Sequence, residues 1–196
     1  MKKGEKRRLE LLKIAYAMFI TKGYENTSVD GIIEEAGIAK GTYYYYFESK
    51  EQMLEEVIDM MIEQEIENAK AIMDSDIPIP QKIVGIIASI RPEQSERPIE
   101  EALHEPENLI MHNKVRGKII ERLVPLLTKV AQEGNETGVF SCDKVPERVR
   151  MILMLSSDLF DEMGYGANDI DVFIEVTEKM LGAQPGTMGF IKELIR

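Results

Sequence analysis

The chain reads as an all-α protein, with a helix-turn-helix near its amino end and a helical body behind it. Three observations predict this class. Residues 27–47 form two short helical stretches broken at Gly37, the second dense in phenols and opened by Lys40. Farther along, apolar residues recur at helical spacing in one segment after another. No pair of alternating apolar runs carries hairpin turn chemistry, which disfavours winged-helix readers, since those need a hairpin.

Each element has its own signal. Residues 6–21 offer a helix with Leu9, Leu12, Ala15, Tyr16 and Phe19 along one stripe. Two short helices cannot bury a core alone, so this third one must support them. Thr27 is placed to cap the next helix, its hydroxyl accepting a bond from a free first-turn amide. Asp30 follows three residues on, and its charge suits the positive helix start. Val29, Ile32, Ile33 and Ala36 supply an apolar face, Gly37 ends the helix, and Ile38 plugs the angle before a second helix over 39–47. Such a pair places its second helix in the major groove of DNA.

Successive helical residues turn by about 100°, so Tyr43, Tyr44, Tyr45 and Tyr46 cannot share one face. Aromatics at helical spacing usually form core, as Phe47 does, but four phenols exceed what a small core absorbs. Some therefore face out, and the spacing leaves open which. Tyrosine hydroxyls bond phosphate oxygens, and phenol rings contact thymine methyls. Lys40 suits a groove or phosphate contact, Gly41 permits close backbone approach, and Lys50 opens the next helix within reach of a flanking phosphate.

Several spacings agree at once: Phe19-x-x-x-Gly23-Tyr24-x-x-Thr27-Ser28-Val29, then Ala36-Gly37-Ile38-Ala39-Lys40-Gly41-Thr42-x-Tyr44-x-x-Phe47-x-x-Lys50. This stretch resembles the DNA-binding region of the tetracycline-repressor (TetR) family. The resemblance implies a homodimer with three DNA-binding helices (residues 1–50) and a ligand-binding and dimerisation body (residues 51–196) of about six helices. Carried over by position, Lys40, Gly41 and Tyr44 approach base edges, while Thr27, Ser28, Thr42, Tyr45, Tyr46 and Lys50 hold phosphates. With Tyr43 from the same run, these residues make up the candidate DNA surface. The chain departs from the family at three places. Ala39 stands where Ser or Thr is usual and removes a side-chain cap, which typically costs about 1 kcal/mol. Tyr46 replaces a frequent His, and Ile33 replaces a usual Ala.

The net charge of −11 argues against DNA binding only if read globally. Residues 1–50 hold nine Lys or Arg against seven Asp or Glu, and the rest holds fifteen against twenty-eight. The reader is thus slightly basic and the body acidic, which disfavours loose binding to any duplex. Lys2, Lys3, Lys6, Arg7 and Arg8 form a basic start, read either as an arm along DNA or as a solvated terminus. The single Cys142 excludes an internal disulfide framework and suits a reducing, cytoplasmic setting. A charged rather than apolar start predicts no signal peptide, and no apolar run reaches the roughly 20 residues of a membrane span.

Beyond Lys50 the signals are helical throughout. Ser49 caps a connector helix running to residue 73, stopped by the Asp74-Ser75-Asp76 and Pro78/Pro80 segment. Helices follow over 79–90, 99–104 and 107–133, the last with a kink expected at Pro125. Pro146 opens a helix to residue 163, a last long helix covers 169–181, and a terminal piece covers 187–196. The 146–163 helix is apolar on two sides, which predicts burial against its own core and against a partner subunit. Ile152, Leu155, Leu159, Phe173, Val176 and Met180 are the candidate dimer seam. Twelve methionines make an adaptable interior. Met111, His112, Met151, Met154 and Phe160 are the candidate pocket for a small apolar or aromatic effector, although core filling explains any one of them.

No metal or other cofactor is expected. His104, Glu105, His112 and Cys142 match no compact metal spacing. No catalytic elbow, phosphate loop or dinucleotide glycine pattern appears, so an enzyme is disfavoured. The expected partners are double-stranded DNA carrying an inverted repeat, a second copy of the chain and a small-molecule effector. A regulator controlled by a protein partner is the alternative.

Overall fold

In a computed structural model, which describes residues 3–90, 94–161 and 166–194, the described chain is helical, with no strand. The helices are α1 (Lys3–Lys22), α2 (Val29–Glu35), α3 (Lys40–Tyr46), α4 (Lys50–Met73), α5 (Ile79–Ala88), α6 (Arg97–His104), α7 (Leu109–Glu136), α8 (Val145–Asp161), α9 (Ala167–Leu181) and α10 (Ile191–Leu194). Short 3-10 turns precede α6 and α7. Two compact units result, one of Met1–Gln64 with Pro92–Val115, the other of Glu65–Arg91 with Arg116–Arg196. The first unit therefore reaches well beyond residues 1–50.

The first unit is built on α1. Its buried stripe is Leu11, Leu12, Ala15, Met18 and Phe19, whereas Leu9 and Tyr16 are only half-buried. The stripe thus sits one step round from the predicted one, because α1 packs against both α2 and α6. Tyr16 reaches α6's approach, its hydroxyl donating to Glu96 at 2.9 Å. Ile32 of α2, Tyr43 of α3 and Met53, Leu54, Val57 and Ile58 of α4 complete this core. Ser49 caps α4 as predicted, its hydroxyl accepting from the Gln52 amide at 3.1 Å.

The second unit packs α8 against α9 and seats α10 on α9. α7 continues through Pro125, whose ring leaves the Glu121 carbonyl without its usual i+4 donor. Both residues are exposed, so water can serve that carbonyl. α9 starts two residues before the predicted Asp169, because Asp169 turns back to accept the Gly166 amide at 2.7 Å. It ends at Gly182, whose φ of +64° suits a residue without a Cβ. Glu178, buried near the end of α9, accepts from the amides of Gly186 and Met188 at 3.1 and 2.7 Å. That carboxylate shapes the segment expected to be helical from 187; among the described residues it is turns followed by the four residues of α10. The predicted end of α8 at 163 lies outside the described residues.

Candidate nucleic-acid interface

The reading unit begins at the turn between α1 and α2. Ser28, not Thr27, caps α2: its hydroxyl accepts from the Gly31 amide at 3.0 Å. Thr27 is buried, and its hydroxyl donates to the Gly23 carbonyl at 2.8 Å. The expectation that Thr27 caps α2 and holds a phosphate is therefore corrected. Its side chain turns back to α1, where end carbonyls lack helical partners. Ser28 remains exposed.

α2 closes as the glycine predicted. Gly37 adopts φ +59°, its amide reaches the Glu34 carbonyl at 3.1 Å, and the Ile38 amide reaches that of Ile33 at 3.2 Å. This paired return satisfies the last carbonyls and swings the chain into α3. At the start of α3, Ala39 has extended N-cap geometry but no side-chain bond. The capping loss expected from Ala39 is thus present.

α3 sorts the tyrosines. Tyr43 is fully buried against Phe47, and its hydroxyl donates to the Ser49 carbonyl at 3.2 Å. Burial, aided by the neighbouring Tyr44, pushes its pKa up to about 12. Tyr43 is therefore core and not a DNA contact, because it sits on the side of α3 that faces Met53 of α4. Tyr45 is 80% exposed and Tyr44 50%. Tyr46 and Thr42 are half-buried, and Tyr46 stacks edge-on with Tyr45 at 4.9 Å. Lys40 and Gly41 are exposed on the first turn. A Cβ at Gly41 would meet nothing within 4 Å, so no internal packing demands glycine there.

Two cations have partners that periodicity could not show. Lys40 donates to Asp30 on α2 at 3.0 Å. That bond, then the charge of the same carboxylate, raises the lysine pKa. Lys50 donates to the Tyr24 carbonyl at 3.0 Å and lies 4.0 Å from the Tyr24 ring centre. Its ammonium thus closes the α1–α2 loop onto the start of α4. Tyr24 is itself buried, and its pKa is raised, chiefly by that burial.

The basic start is helical from Lys3. Arg7 pairs with Glu10 at 3.0 Å and reaches the Ala36 carbonyl at 3.4 Å. Arg8 pairs with Glu56 at 2.5 Å and lies over the Phe47 ring. Both arginines therefore brace the helices that carry α3. Apart from the local Arg7–Glu10 pair, sequence spacing offers no sign of these contacts, because each joins elements far apart in the chain.

The effector and dimer residues fall differently from expectation. On α8, Val149, Ile152, Leu153 and Ser156 face inward, while Met151, Met154 and Leu155 stand 57%, 46% and 45% exposed. Met151 and Met154 are therefore not buried pocket lining, since the helical turn carries them to the outer side. Ile152 and Phe173 are buried within the unit and so are not seam residues. Leu159, Val176 and Met180 are half-buried. Met111 and His112 lie in the first unit, half-buried, with His112 against His104 at 4.7 Å between ring centres. The side chain of Phe160 lies outside the described residues. The second unit does hold an apolar nook, lined by Ile83, Ile87, Leu127, Val149, Ile152 and Leu181, and among the described side chains Met111, His112, Met151 and Met154 do not line it. Among the described residues no group of three or more His, Cys, Asp or Glu is placed to hold a metal, and no helix is long and apolar enough to cross a membrane.

Known proteins agree with this architecture. A sequence profile described as "Bacterial regulatory proteins, tetR family" matches residues 11–57, and one described as "Tetracyclin repressor-like, C-terminal domain" matches residues 91–178. The transcriptional repressor KstR2 of Mycolicibacterium smegmatis is 38% identical over 80 residues, which is 41% of this chain and 39% of that protein. The regulator EthR of the same species is 34% identical over 84 residues, 41% of this chain and 37% of EthR. The matched stretch thus spans about two fifths of these relatives' length. In fold, the chain is similar to RolR in complex with resorcinol, with TM-score 0.65 and 18% identity over 98% of this chain and 94% of RolR. It is also similar to a TetR-family regulator from Mesorhizobium loti, with TM-score 0.60 and 16% identity over 92% and 96% of the two chains. With a capped α2, a glycine turn and an exposed α3 in the stretch matched by the first profile, and helices throughout the described part of the stretch matched by the second, the chain belongs to the tetracycline-repressor family of bacterial DNA-binding transcriptional regulators.

Proposed function

We propose that the chain is a homodimeric transcriptional repressor that reads an inverted-repeat operator with α3 and is released by a small apolar or aromatic effector. The observation that carries the DNA reading is the outer face of α3. Two large phenols, Tyr44 and Tyr45, stay in water beside Lys40 and a glycine that the chain's own packing does not need. Lys40, Gly41 and Tyr44 take the base edges, and Ser28, Thr42, Tyr45 and Tyr46 the phosphates. Tyr43 and Thr27 hold the frame, and Lys50 sets the loop behind it. KstR2, named a repressor, supports repression as the mode of action, and a DNA reader belongs in the cytoplasm.

Pairing of two chains through α8 and α9 is supported by Met151, Met154, Leu155 and Val172, four large apolar side chains left exposed on these neighbouring helices. A twofold dimer sets its two reading helices about 34 Å apart along the duplex, or somewhat more, so the operator is an inverted repeat. The effector enters the second unit near the apolar nook, and the likeness to RolR with resorcinol supports an aromatic molecule. An effector that prefers the head spacing unfit for DNA weakens binding, and DNA weakens effector binding equally. Control by a protein partner is the second reading; Ile110 and Leu109, 85% and 57% exposed at the start of α7, favour it.

Selection of bound duplexes from a random pool tests the reading and its symmetry together. Enrichment of a palindromic site is expected, and retention of no sequence over any other defeats the reading. Leu155→Arg should halve the mass seen by light scattering. A thermal-shift screen with aromatic and amphipathic compounds separates small-molecule control from partner control.

A further inference from the structure

Asp30 lies in the first turn of α2, and its side chain and that of Lys40 are 77% and 62% exposed, with Oδ1 and Nζ 3.0 Å apart. A pair so open to water adds little to folding stability, and the α2 cap is held by Ser28 without it. Its consequence is electrostatic. Two opposite charges at this separation cancel a few ångströms away, so Lys40 exerts almost no long-range pull on phosphates.

The pair also sorts what Lys40 can accept as a partner. An ammonium has three N–H donors, and Asp30 uses one. A neutral base-edge acceptor, such as guanine O6 or N7, can take a second donor while the ion pair persists. A phosphate on the same ammonium is an anion brought against the Asp30 carboxylate, so it must displace Asp30 or bear the repulsion. We propose that Asp30 is a specificity-determining residue that makes Lys40 a donor to base edges and a poor partner for phosphates. This inference rests on the reading of α3 as the DNA reader.

The test compares full-length wild type, D30N, K40Q and the double variant on the duplex recovered by selection and on a base-shuffled duplex of equal length. The salt series runs from about 50 to about 200 mM. D30N should tighten shuffled-duplex binding about three- to tenfold at the low-salt end and steepen the log K against log salt slope by about 0.9, the signature of one added phosphate contact. The preference for the selected duplex should fall. D30E should restore wild-type behaviour, and in the K40Q background D30N should change neither slope nor preference. If D30N fails to fold, D30S carries the same expectations. An unchanged slope in D30N, or an equal steepening with Lys40 removed, overturns the proposal. A wild type that discriminates between duplexes while D30N is silent defeats this inference alone. A wild type that ignores every duplex defeats the DNA reading, and this inference with it.

Discussion

Tyr43 and Tyr45 show how one helix divides identical side chains between two tasks. Tyr43 keeps its ring in the core and its hydroxyl on the Ser49 carbonyl, while Tyr45 is almost wholly in water. Tyr43→Phe should cost about 1 kcal/mol in urea unfolding, the usual net worth of a hydrogen bond. Tyr45→Ala should leave stability within about 0.5 kcal/mol, as exposed positions usually do, and weaken duplex binding. Gly182 gives a sharper case. A Cβ there would lie 2.1 Å from the Ser141 carbonyl oxygen at a φ of +64°, and neither backbone segment can give way cheaply. Gly182→Ala should therefore destabilise by more than about 2 kcal/mol, the range of steric and left-handed strain combined, read as a lowered thermal midpoint.

Among the elements, α3 is short and starts without a side-chain cap. It is held by Tyr43 and Phe47 rather than by its own ends. Ala39 already has the extended backbone an N-cap needs, at φ −73° and ψ 148°. Ala39→Ser should thus stabilise the protein by about 0.5–1 kcal/mol in chemical denaturation. α9 is the opposite case, since a buried carboxylate near its end organises the chain beyond it. Glu178→Gln leaves one oxygen to serve the Gly186 and Met188 amides, so the turn that follows α9 should become cleavable by protease at native pH. Unchanged resistance would show that the apolar anchors Met188 and Ile191 suffice.

At the scale of the whole molecule, pH reads out the first unit. The Tyr43 pKa is pushed up to about 12 and that of Tyr24 is raised as well, burial leading in both. Folded tyrosines with raised pKa values hold protons that the unfolded chain releases near pH 10, so the unfolded state binds fewer protons above that point. Stability present below about pH 10 should therefore be lost as pH rises toward 12. Tyrosinate absorbance should show a late component that coincides with unfolding, and Tyr43→Phe should shrink it. On the acid side Glu56 is raised, chiefly by burial, so it favours the folded state as pH falls through its range. Glu51, lowered by the Ser49 hydroxyl, and Asp143, lowered by Arg148, act in the opposite sense.

What the sequence alone determined was whatever depends on neighbours within one or two turns. Helical periodicity, the Gly37 break, the Ser49 cap and the missing cap at Ala39 all follow from spacing and backbone preference, and the acidic excess of the body follows from composition. The tertiary structure decided which side of each helix faces in. It put Tyr43 inside and Tyr45 out, gave the α2 cap to Ser28 by turning Thr27 onto α1, moved the α1 stripe to meet α2 and α6, and set Met151 and Met154 outward on α8. It also joined Lys40 to Asp30, Lys50 to Tyr24 and Arg8 to Glu56 and Phe47. The physical reason is common to all of these. A helix forms from short-range hydrogen bonds, but its rotation about its own axis is fixed by the apolar surface that distant segments bring to it.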